Sequence, residues 1–508
     1  MIKEFNDSKK DFFELVKRIK YYNDAIGVLY WDLRTGAPKK GVPYRAEVIG
    51  MLSEEAFKLS TSDAMGEYLA YFDEPDKSSS MDSIMKALVR ECRKEYDKYK
   101  KIPEAKYKEY VILTSEAECV WEDAKKNNDF ELFKPYLEKI VGYNLQFIEL
   151  WGYKENKYDT LLDLYEPGMT IEKLDAIFSE LRSRIVPLVA KIKESAYQPE
   201  DQFLKKYFDI GKQEEFGLFI LERIGYDFDA GRLDESEHPF TTGINPADVR
   251  ITTHYYPNDL ISAVMSSMHE GGHALYEQNI SSDLHGTPLC DGASMGLHES
   301  QSRFWENIIG RSRSFWQKYY SRLQDFFPEQ LKDVTADDFY RAINKVKPSL
   351  IRIEADEVTY NLHIMIRYEI EKALINEEIK VADLPEVWKE KMKEYLGIIP
   401  PDDTKGVLQD VHWAGGSFGY FPSYTLGNIY SAQIYNAAKK EIKDFEEMVE
   451  KGELIKIKDW LAEKIHKHGK VLKPEEILLQ VTGDDRRRVV ELVQQHGLPE
   501  PGEDVDVL

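Results

Sequence analysis

The feature that most constrains the fold is an apolar pattern with the α-helical period that runs along almost the whole chain. From residue 1 to about residue 195 it forms long stretches separated by short breaks. The breaks lie at residues 36–43, 74–80, 102–103, 127–129 and 166–170. Apolar residues at every third or fourth position form one face of a helix that can be buried against other helices. The pattern predicts a mostly α-helical protein.

A different pattern occupies residues 231–257, where short runs of β-branched residues alternate with turn residues. Such residues favour strands, so we predict a small antiparallel β-sheet in this region. Helical patterns return after Pro257. Residues 406–427 then form a glycine- and aromatic-rich stretch, and a long loop of that kind inside a helical protein is typical of a functional site.

Charge and hydropathy exclude several classes of protein. The 508 residues carry 68 Lys and Arg against 91 Asp and Glu, a formal net charge of −23. A field of that sign repels a nucleic-acid backbone. No apolar run approaches the roughly 18 residues that span a bilayer, and residues 1–20 are charged and amphipathic, unlike a signal peptide. We predict a cytoplasmic protein without nucleic-acid or membrane partners, whose three cysteines, Cys92, Cys119 and Cys290, are reduced.

The strongest chemical signal is the motif His269-Glu270-Gly271-Gly272-His273. Histidines four residues apart on a helix share one face, about one turn apart, so that both imidazoles reach one metal ion. Glu270 then lies beside the metal, where it can take a proton from a water molecule. Chance gives only about 0.04 such motifs in a chain of this composition, even when Asp is counted with Glu. The motif predicts metal-dependent hydrolysis with Glu270 as the general base.

Two adjacent glycines are unusual in the interior of a helix, because each costs about 1 kcal/mol relative to alanine. The run at residues 260–268 that leads into the motif has the apolar spacing of a buried helix. We therefore expect side chains at Gly271 and Gly272 to obstruct either the metal site or a neighbouring backbone.

A tetrahedral catalytic zinc ion takes three protein ligands and leaves its fourth position for water. Glu277 lies a further turn beyond His273, which carries it away from a metal held between the histidines. Glu299 begins a second helical pattern after a loop that contains glycine and proline. We predict Glu299 as the third ligand, with Glu306, two turns later, as the alternative.

Five further blocks, in the same order, resemble the thermostable metallocarboxypeptidase family typified by carboxypeptidase Taq. In that family the histidine motif is likewise followed by a His-Glu-Ser-Gln block, here at residues 298–301. The five blocks are WDLRTGAP at 31–38 with Arg45, HPF at 238–240, DVRIT at 248–252, IRIEAD at 351–356 and GVLQDVHW at 406–413. The resemblance covers nearly the whole chain.

The resemblance implies a metal-dependent exopeptidase that removes single amino acids, with broad specificity, from the free C-terminus of peptides. It implies one Zn²⁺ or Co²⁺ ion per chain, held by His269, His273 and Glu299, with Glu270 as the base. It also implies an elongated, mostly helical body with a deep active-site groove, a small sheet near the metal, and a homodimer. We predict one domain over residues 1–498, made of parts 1–230, 231–257 and 258–498, and an acidic tail at 499–508.

Residues 412–424 also resemble the His-x-Ala-Gly-Gly loop of oligopeptidases related to neurolysin. Those enzymes use the histidine and a tyrosine twelve positions later to bind substrate and to stabilise the oxyanion. The resemblance places these roles on His412 and Tyr424. A second tyrosine directly follows the paired glycines in that loop, whereas this chain has Ser417 there, so we predict Tyr420 as its substitute.

An exopeptidase must also detect the free carboxylate of its substrate, and the two-pronged guanidinium of arginine suits that task. Arg352 is the first candidate and Arg250 the second. Both have structural alternatives: Arg352 could pair with Glu354, Asp356 or another acid, and Arg250 could form an ion pair within its strand. His238 either contacts substrate or caps a turn, and the same holds for His254.

Two other functions remain open from the residues. A metallo-oligoendopeptidase would use the same chemistry but cleave internally, so it would also cleave a peptide whose C-terminus is amidated. A catalytically silent helical binding protein would keep zinc for stability and would not depend on Glu270.

Overall fold

The computed structural model describes residues 4–483, and the predicted acidic tail at 499–508 lies outside the described residues. The described chain is mostly helical, which confirms the predicted fold class. The α-helices are α1 (Phe5–Thr35), α2 (Val42–Ser60), α3 (Asp63–Phe72), α4 (Pro75–Ser80), α5 (Ser83–Lys100), α6 (Glu104–Asn127), α7 (Phe130–Trp151), α8 (Lys157–Tyr165), α9 (Ile171–Glu194), α10 (Ile210–Ile224), α11 (Leu260–Gln278), α12 (Met295–Arg303), α13 (Arg313–Phe326), α14 (Ala336–Ile343), α15 (Glu357–Ile375), α16 (Leu384–Leu396), α17 (Pro422–Glu441), α18 (Phe445–Lys451), α19 (Leu454–Lys464) and α20 (Pro474–Thr482).

The predicted small sheet is present, with strands β1 (Leu233–Glu235), β2 (Thr241–Asn245) and β3 (Asp248–Thr253) in the order β1-β3-β2. The strands β2 and β3 form an antiparallel pair, whereas β1 and β3 are parallel. The expectation of a wholly antiparallel sheet was therefore wrong. The chain reverses between β1 and β2 and again between β2 and β3, so β1 and β3 run in the same direction. The central position of β3 makes them neighbours.

The described residues divide into two compact units by their contacts. The first comprises residues 4–100, 200–343 and 434–483, and the second comprises Lys101–Pro199 and Asn344–Gln433. Each unit is built from segments that are distant in sequence, which the linear division into 1–230, 231–257 and 258–498 did not anticipate. A single domain over residues 1–498 stays a prediction.

Helix α11 is the core element of the first unit. It packs against β2, β3, α10 and α12, and most of its residues are buried. Asp259 caps its N-terminus, because the side chain accepts a hydrogen bond from the backbone N–H of Ser262. The result is a rigid, buried helix that carries the histidine motif.

Helix α15 is the core element of the second unit, where it packs against α7, α8, α9 and α16. It carries two fully buried charged side chains, Arg367 and Glu371. The predicted loop at 406–427 is shorter than expected, because α17 begins at Pro422. Proline suits the first turn of a helix, where its missing N–H has no intrahelical partner.

Two further sequence expectations concern membrane-spanning helices and the cysteines. Within residues 4–483 no helix combines the length and the apolar character needed to cross a membrane. All three cysteines are free; Cys92 and Cys290 are buried and Cys119 is exposed.

Candidate metal centre

The histidine motif lies on α11, and the close approach of α12 explains its paired glycines. A Cβ atom on Gly272 would lie 2.5 Å from the carbonyl oxygen of Gln301, so only glycine lets the α12 backbone come this near. A Cβ on Gly271 would instead meet side-chain ends of Leu221 and Ile224 on α10 at 2.7 and 2.9 Å. The expected obstruction is therefore real, and at Gly272 the obstructed group is a backbone.

The helix crossing brings His269, His273 and Glu299 together. One oxygen of Glu299, Oε2, lies 3.7 Å from His269 Nε2 and 3.4 Å from His273 Nε2. One donor atom from each of the three residues lies within 4.8 Å of the others. Two imidazole nitrogens and a carboxylate oxygen are a common donor set for a catalytic divalent metal ion.

The second ring nitrogen of His269 is held by Glu306, the residue that the sequence offered as an alternative ligand. The distance from His269 Nδ1 to Glu306 Oε2 is 2.8 Å. Glu306 lies in a π-helical segment, Phe304–Ile309, that directly continues α12. The wider turn of a π-helix changes the direction of its side chains, and such turns are common at functional sites. Glu306 therefore orients a predicted ligand, and it leaves Nε2 of His269 available to a metal.

His273 is held through a second histidine. Its Nδ1 lies 2.5 Å from Nδ1 of His298, and His298 Nε2 lies 2.8 Å from Glu277 Oε1. One arrangement of protons satisfies this chain and keeps Nε2 of His273 free for a metal. In it, His298 donates from Nε2 to the Glu277 carboxylate and accepts at Nδ1 the proton of His273. Glu277, rejected as a ligand from its position on the helix, thus anchors the far end of the chain.

Glu299 is buried and held as an anion. Its Oε1 accepts a 2.6 Å hydrogen bond from Arg303 Nε, one turn later on α12. Burial alone would raise the pKa of this carboxyl. The charge of Arg303 and then the contacts with His269 and His273 outweigh that effect and hold the pKa well below its usual range. An ionised, fixed carboxylate is the form that binds a cation.

Glu270 lies beside the ligand set in a different environment. Its side chain is buried, and its Oε2 accepts a 2.6 Å hydrogen bond from the hydroxyl of Thr241 on β2. Burial raises the pKa of Glu270 above its ordinary value, although His269 and Thr241 oppose the shift. A carboxyl with a raised pKa suits a group that must accept and later release a proton near neutral pH.

The four glutamates at 270, 277, 299 and 306 outnumber the two guanidiniums near them, those of Arg303 and Arg311. Although burial disfavours a charged imidazole, the pKa of His269 is raised by Glu299 and Glu306. Burial lowers the pKa of His273 to about 3, so that this ring is neutral and can act as a ligand. A surplus of negative charge around two imidazole rings fits a divalent cation.

The second unit holds a cluster of the opposite sign. Asp410 accepts hydrogen bonds from two arginines: Arg352 donates to its Oδ1 from Nε and Nη2 at 3.0 and 2.8 Å. Arg367 donates to Oδ2 at 2.7 and 2.5 Å. Arg352 also donates to the Tyr360 hydroxyl at 3.0 Å. The structural alternative for Arg352, an ion pair with an acid, is therefore present, and the acid is Asp410.

His412, Tyr420 and Tyr424 are gathered in the second unit. Nε2 of His412 lies 3.3 Å from the Tyr424 hydroxyl. The Tyr420 ring packs at 5.5 Å from the His412 ring and at 5.2 Å from that of Tyr424. Burial lowers the pKa of His412 to about 4, so its imidazole is neutral at neutral pH and can donate only one ring proton.

Arg250 and His238 lie on or beside the sheet of the first unit. Both ends of the Arg250 guanidinium bond to Asp248, at 2.7 and 2.8 Å, and the group lies over the Trp31 ring. The strand ion pair that was the structural alternative for Arg250 is therefore present. The backbone carbonyl of His238 accepts a hydrogen bond from the Ser236 hydroxyl at 2.7 Å. His254 Nδ1 lies 2.9 Å from the carbonyl oxygen of Ser236.

Sequence reasoning missed the residues that hold the ligands and the base: Thr241, His298 and Arg303, and the orienting roles of Glu277 and Glu306. Metal-bound histidines nearly always give their second nitrogen to a carboxylate, a carbonyl or a water molecule. That rule could have directed attention to Glu306. It gives no hint of Thr241, which is 28 residues before His269 and comes near only because β2 packs on α11.

The chain has extensive similarity to proteins of known family. Residues 11–492 match the family model described as carboxypeptidase Taq (M32) metallopeptidase. Carboxypeptidase 1 of Bacillus subtilis is 52% identical over 482 residues, which cover 95% of this chain and 96% of that protein. Thermostable carboxypeptidase 1 of Thermus thermophilus is 40% identical, over 94% and 95% of the two chains. A solved structure of Pyrococcus furiosus carboxypeptidase superimposes with a TM-score of 0.92 at 39% identity, over 97% and 99%.

Proposed function

The chain belongs to the carboxypeptidase Taq (M32) metallopeptidase family, and we propose that Glu270 is the general base with which it removes C-terminal residues from peptides. It is a metal-dependent carboxypeptidase whose substrates are peptides. The family therefore favours the carboxypeptidase prediction over an oligoendopeptidase or a silent binding protein. The observation that supports the role of Glu270 is its buried carboxylate on the same helix as two converging histidines.

The proposed metal ligands are Nε2 of His269, Nε2 of His273 and a carboxylate oxygen of Glu299. Two imidazoles and one carboxylate suit zinc, and cobalt accepts the same donors. We therefore propose one Zn²⁺ ion per chain, with Co²⁺ as the alternative. When bound, such an ion lowers the pKa of a water molecule and polarises a peptide carbonyl.

Glu270 would take a proton from the attacking water and deliver it to the departing amine. Thr241 supports this role, because its hydroxyl bonds to one carboxylate oxygen, Oε2, and fixes the orientation of the group. Because the Glu270 carboxyl would keep the proton taken from water, it could donate that proton to the leaving amine. A general base of this kind contributes about 10²–10⁴-fold to the rate.

His412, Tyr424 and Tyr420 are proposed to bind substrate and to donate hydrogen bonds to the negative charge that develops on the carbonyl oxygen. The contact between His412 Nε2 and the Tyr424 hydroxyl supports this role, since a neutral imidazole and a phenol can each donate one proton. The depressed pKa keeps His412 neutral, so it adds no fixed charge.

Arg352 is proposed to bind the substrate carboxylate. Its partner Asp410 is shared with Arg367, so two guanidiniums bond to one carboxylate, and Glu371 near Arg367, whose pKa burial raises to about 7, carries only part of a second negative charge at neutral pH. The remaining positive charge can be met by a carboxylate from the substrate. Arg250, which is already paired with Asp248, is the second candidate, and His238 a further substrate contact.

Two properties of the whole molecule follow the family resemblance. We propose a homodimer, which sedimentation equilibrium would show as twice the mass of 59.1 kDa. We also propose a cytoplasmic enzyme, consistent with three free cysteines.

The Glu270→Gln variant tests the proposed base. Glutamine keeps the size of the side chain and its hydrogen bond with Thr241, but it cannot accept the proton of water. We expect one metal ion per chain, as in the unchanged enzyme, and a fall in kcat of about 10³-fold. Full activity with bound metal would contradict the assignment.

A further inference from the structure

Glu371 is a fully buried carboxylate on α15 that the proposed reaction does not use. It accepts three hydrogen bonds: from the Tyr158 hydroxyl at 2.6 Å, from Trp413 Nε1 at 2.7 Å and from the Gly419 backbone N–H at 2.8 Å. No cation lies among these three partners. The charge of Arg367 also acts on Glu371, but that guanidinium bonds to Asp410. A buried carboxylate whose hydrogen bonds come only from neutral groups is costly to ionise, so its three donors need a structural reason.

Two of the three donors belong to the stretch from Gln409 to Phe421, hereafter the 409–421 segment, which has no helix or strand. Arg367, one turn before Glu371 on α15, bonds to the start of this segment at Gln409 and Asp410. Glu371 bonds to its middle and end at Trp413 and Gly419. A single face of α15 therefore holds the segment at both ends.

The far end of the segment is held closely. Gly419 has a φ of +89°, and a Cβ atom there would lie 2.7 Å from the backbone of Leu161 on α8. Only glycine permits this conformation and this approach. The same residue gives its N–H to Glu371. The Trp413 ring stacks on Phe418 with an interplanar angle of 7°, which joins the two anchored points of the segment.

His412 lies between the two anchors, two residues after Asp410 and directly before Trp413. Its ring packs on Phe421 at 4.4 Å, and Tyr420 directly follows the anchored Gly419. Side chains of α15 thus hold the side chains of Asp410 and Trp413, on either side of His412, and the backbone N–H of Gly419, just before Tyr420.

We propose that Glu371 is a positioning residue, which fixes His412 and Tyr420 through its hydrogen bonds to Trp413 and Gly419. The inference rests on the substrate-binding roles proposed above for His412 and Tyr420. Glu371 itself touches neither substrate nor metal. Burial raises its pKa to about 7, against the lowering effects of the three hydrogen bonds and of the charge of Arg367.

A glutamine at this position would disturb the segment without removing volume. Its amide offers one acceptor oxygen and one NH₂ group. The NH₂ group would face either the Trp413 indole N–H or the Gly419 backbone N–H. Both are hydrogen-bond donors and cannot accept its proton. At least one hydrogen bond to the segment would be lost, and a displacement of about 1 Å in a catalytic group can cost about 10²-fold in rate.

The test compares Glu371→Gln with the matched variant Glu369→Gln. Glu369 lies on the same helix, but its carboxylate bonds to Tyr395 and Lys391 of α16. With an N-blocked dipeptide, we expect E371Q to lower kcat by about 10–100-fold and to change KM little. Metal content should stay at one ion per chain. E369Q should keep kcat within about twofold. Equal losses of kcat in both variants would overturn the proposal.

A double-mutant cycle shows whether Glu371 acts through His412. If it does, E371Q slows the H412Q enzyme less than it slows the unchanged enzyme, and the loss that remains reflects the position of Tyr420. Independent, multiplied losses would contradict the proposal. An H412Q enzyme with unchanged kcat would overturn the proposed role of His412 together with this inference. A slow H412Q enzyme beside a fully active E371Q enzyme would overturn this inference alone.

If E371Q does not fold, Trp413→Phe removes one of the same hydrogen bonds and should lower kcat, and an unchanged kcat would again contradict the proposal.

Discussion

The two units each bury a cluster of charged groups, and the clusters have opposite surpluses. In the first unit, four glutamates surround the two candidate histidine ligands and outnumber two arginines, so the cluster lacks positive charge. In the second unit, two arginines share the carboxylate of Asp410, and Glu371, whose pKa burial raises to about 7, adds only part of a second negative charge, so the cluster lacks negative charge. A carboxypeptidase needs both, because it binds a metal cation and a substrate anion. The global charge of −23 predicts neither cluster.

The clusters also differ in what completes them. The acidic cluster has candidate ligand atoms that converge within 4.8 Å of one another. The basic cluster is already partly neutralised by hydrogen bonds of 2.5–3.0 Å. We therefore expect changes in the first cluster to alter metal binding most, and changes in the second to alter folding stability and carboxylate recognition.

The largest effect should follow removal of a ligand. Glu299→Ala deletes the carboxylate that lies within 3.7 Å of both histidines. We expect the purified variant to hold less than about a tenth of a metal ion per chain and to lose its activity in parallel. Elemental analysis measures the metal. A variant with full metal content would show that another acid completes the site.

The second largest effect should come from breaking the basic cluster. Asp410→Asn leaves two buried guanidiniums without their shared anion, and we expect it to lower the free energy of unfolding by about 3–5 kcal/mol. The exposed pair of Lys451 and Glu447 supplies the control, because Glu447→Gln should cost less than about 1 kcal/mol. Urea titrations measure both values, and similar losses would contradict the distinction.

Asp410 also predicts a pH dependence. Although burial opposes it, the charges of Arg367 and Arg352 hold the pKa of Asp410 far below its ordinary value of 3.8. A depressed carboxyl pKa stabilises the protein above the unfolded-state pKa and loses that contribution as the pH falls. The stability difference between the unchanged enzyme and D410N should thus be constant above about pH 5 and shrink by about 1.4 kcal/mol per unit below about pH 4. A constant difference down to pH 2 would contradict this reading.

The hydrogen bonds behind the two histidines should have intermediate effects. Glu306→Gln weakens the direct support of His269, and His298→Phe removes the relay that supports His273. We expect each to weaken metal binding by about 10–100-fold in a chelator competition. The visible spectrum of the Co²⁺-loaded protein should change in both, because ligand orientation changes. Affinity within twofold of the unchanged enzyme in either variant would show that its contact does not orient the ligand.

The smallest effect should distinguish the two glycines of α11. Gly272→Ala forces a Cβ against the α12 backbone, and we expect it to cost about 1–3 kcal/mol and to reduce metal occupancy through Glu299. In Gly271→Ala the new Cβ meets only flexible ends of Leu221 and Ile224, so metal occupancy should stay complete. Equal losses of metal in both variants would contradict the role of the α11–α12 contact.

The first cluster could be predicted from the sequence far better than the second. The motif at 269–273 predicts two candidate ligands and a candidate base through helical geometry, and the need for a third ligand favoured Glu299, whose carboxylate does lie beside both histidines. The direct partner of Arg352, by contrast, is 58 residues away. No local period connects such positions, because the contact exists only after the turn that carries Arg352 has packed against the 409–421 segment.

The fold shows the same division. Helical periodicity predicted the helices, since each depends on residues three and four apart. The sheet was located correctly, but the parallel pairing of β1 with β3 depends on strand order. The composition of the two units depends on contacts between segments such as 4–100 and 434–483. These are long-range properties that a local pattern does not encode.

The central proposal is that Arg352 of the basic cluster binds the free C-terminal carboxylate of the substrate. It is tested most directly with two peptides of the same sequence, one with a free C-terminus and one with an amidated C-terminus. We expect the enzyme to remove residues one at a time from the free peptide and to leave the amide nearly intact. In Arg352→Gln, the ratio of the two kcat/KM values should fall by about 10–100-fold, while the metal content is unchanged. An R352Q enzyme that keeps the full preference for the free peptide would contradict the claim.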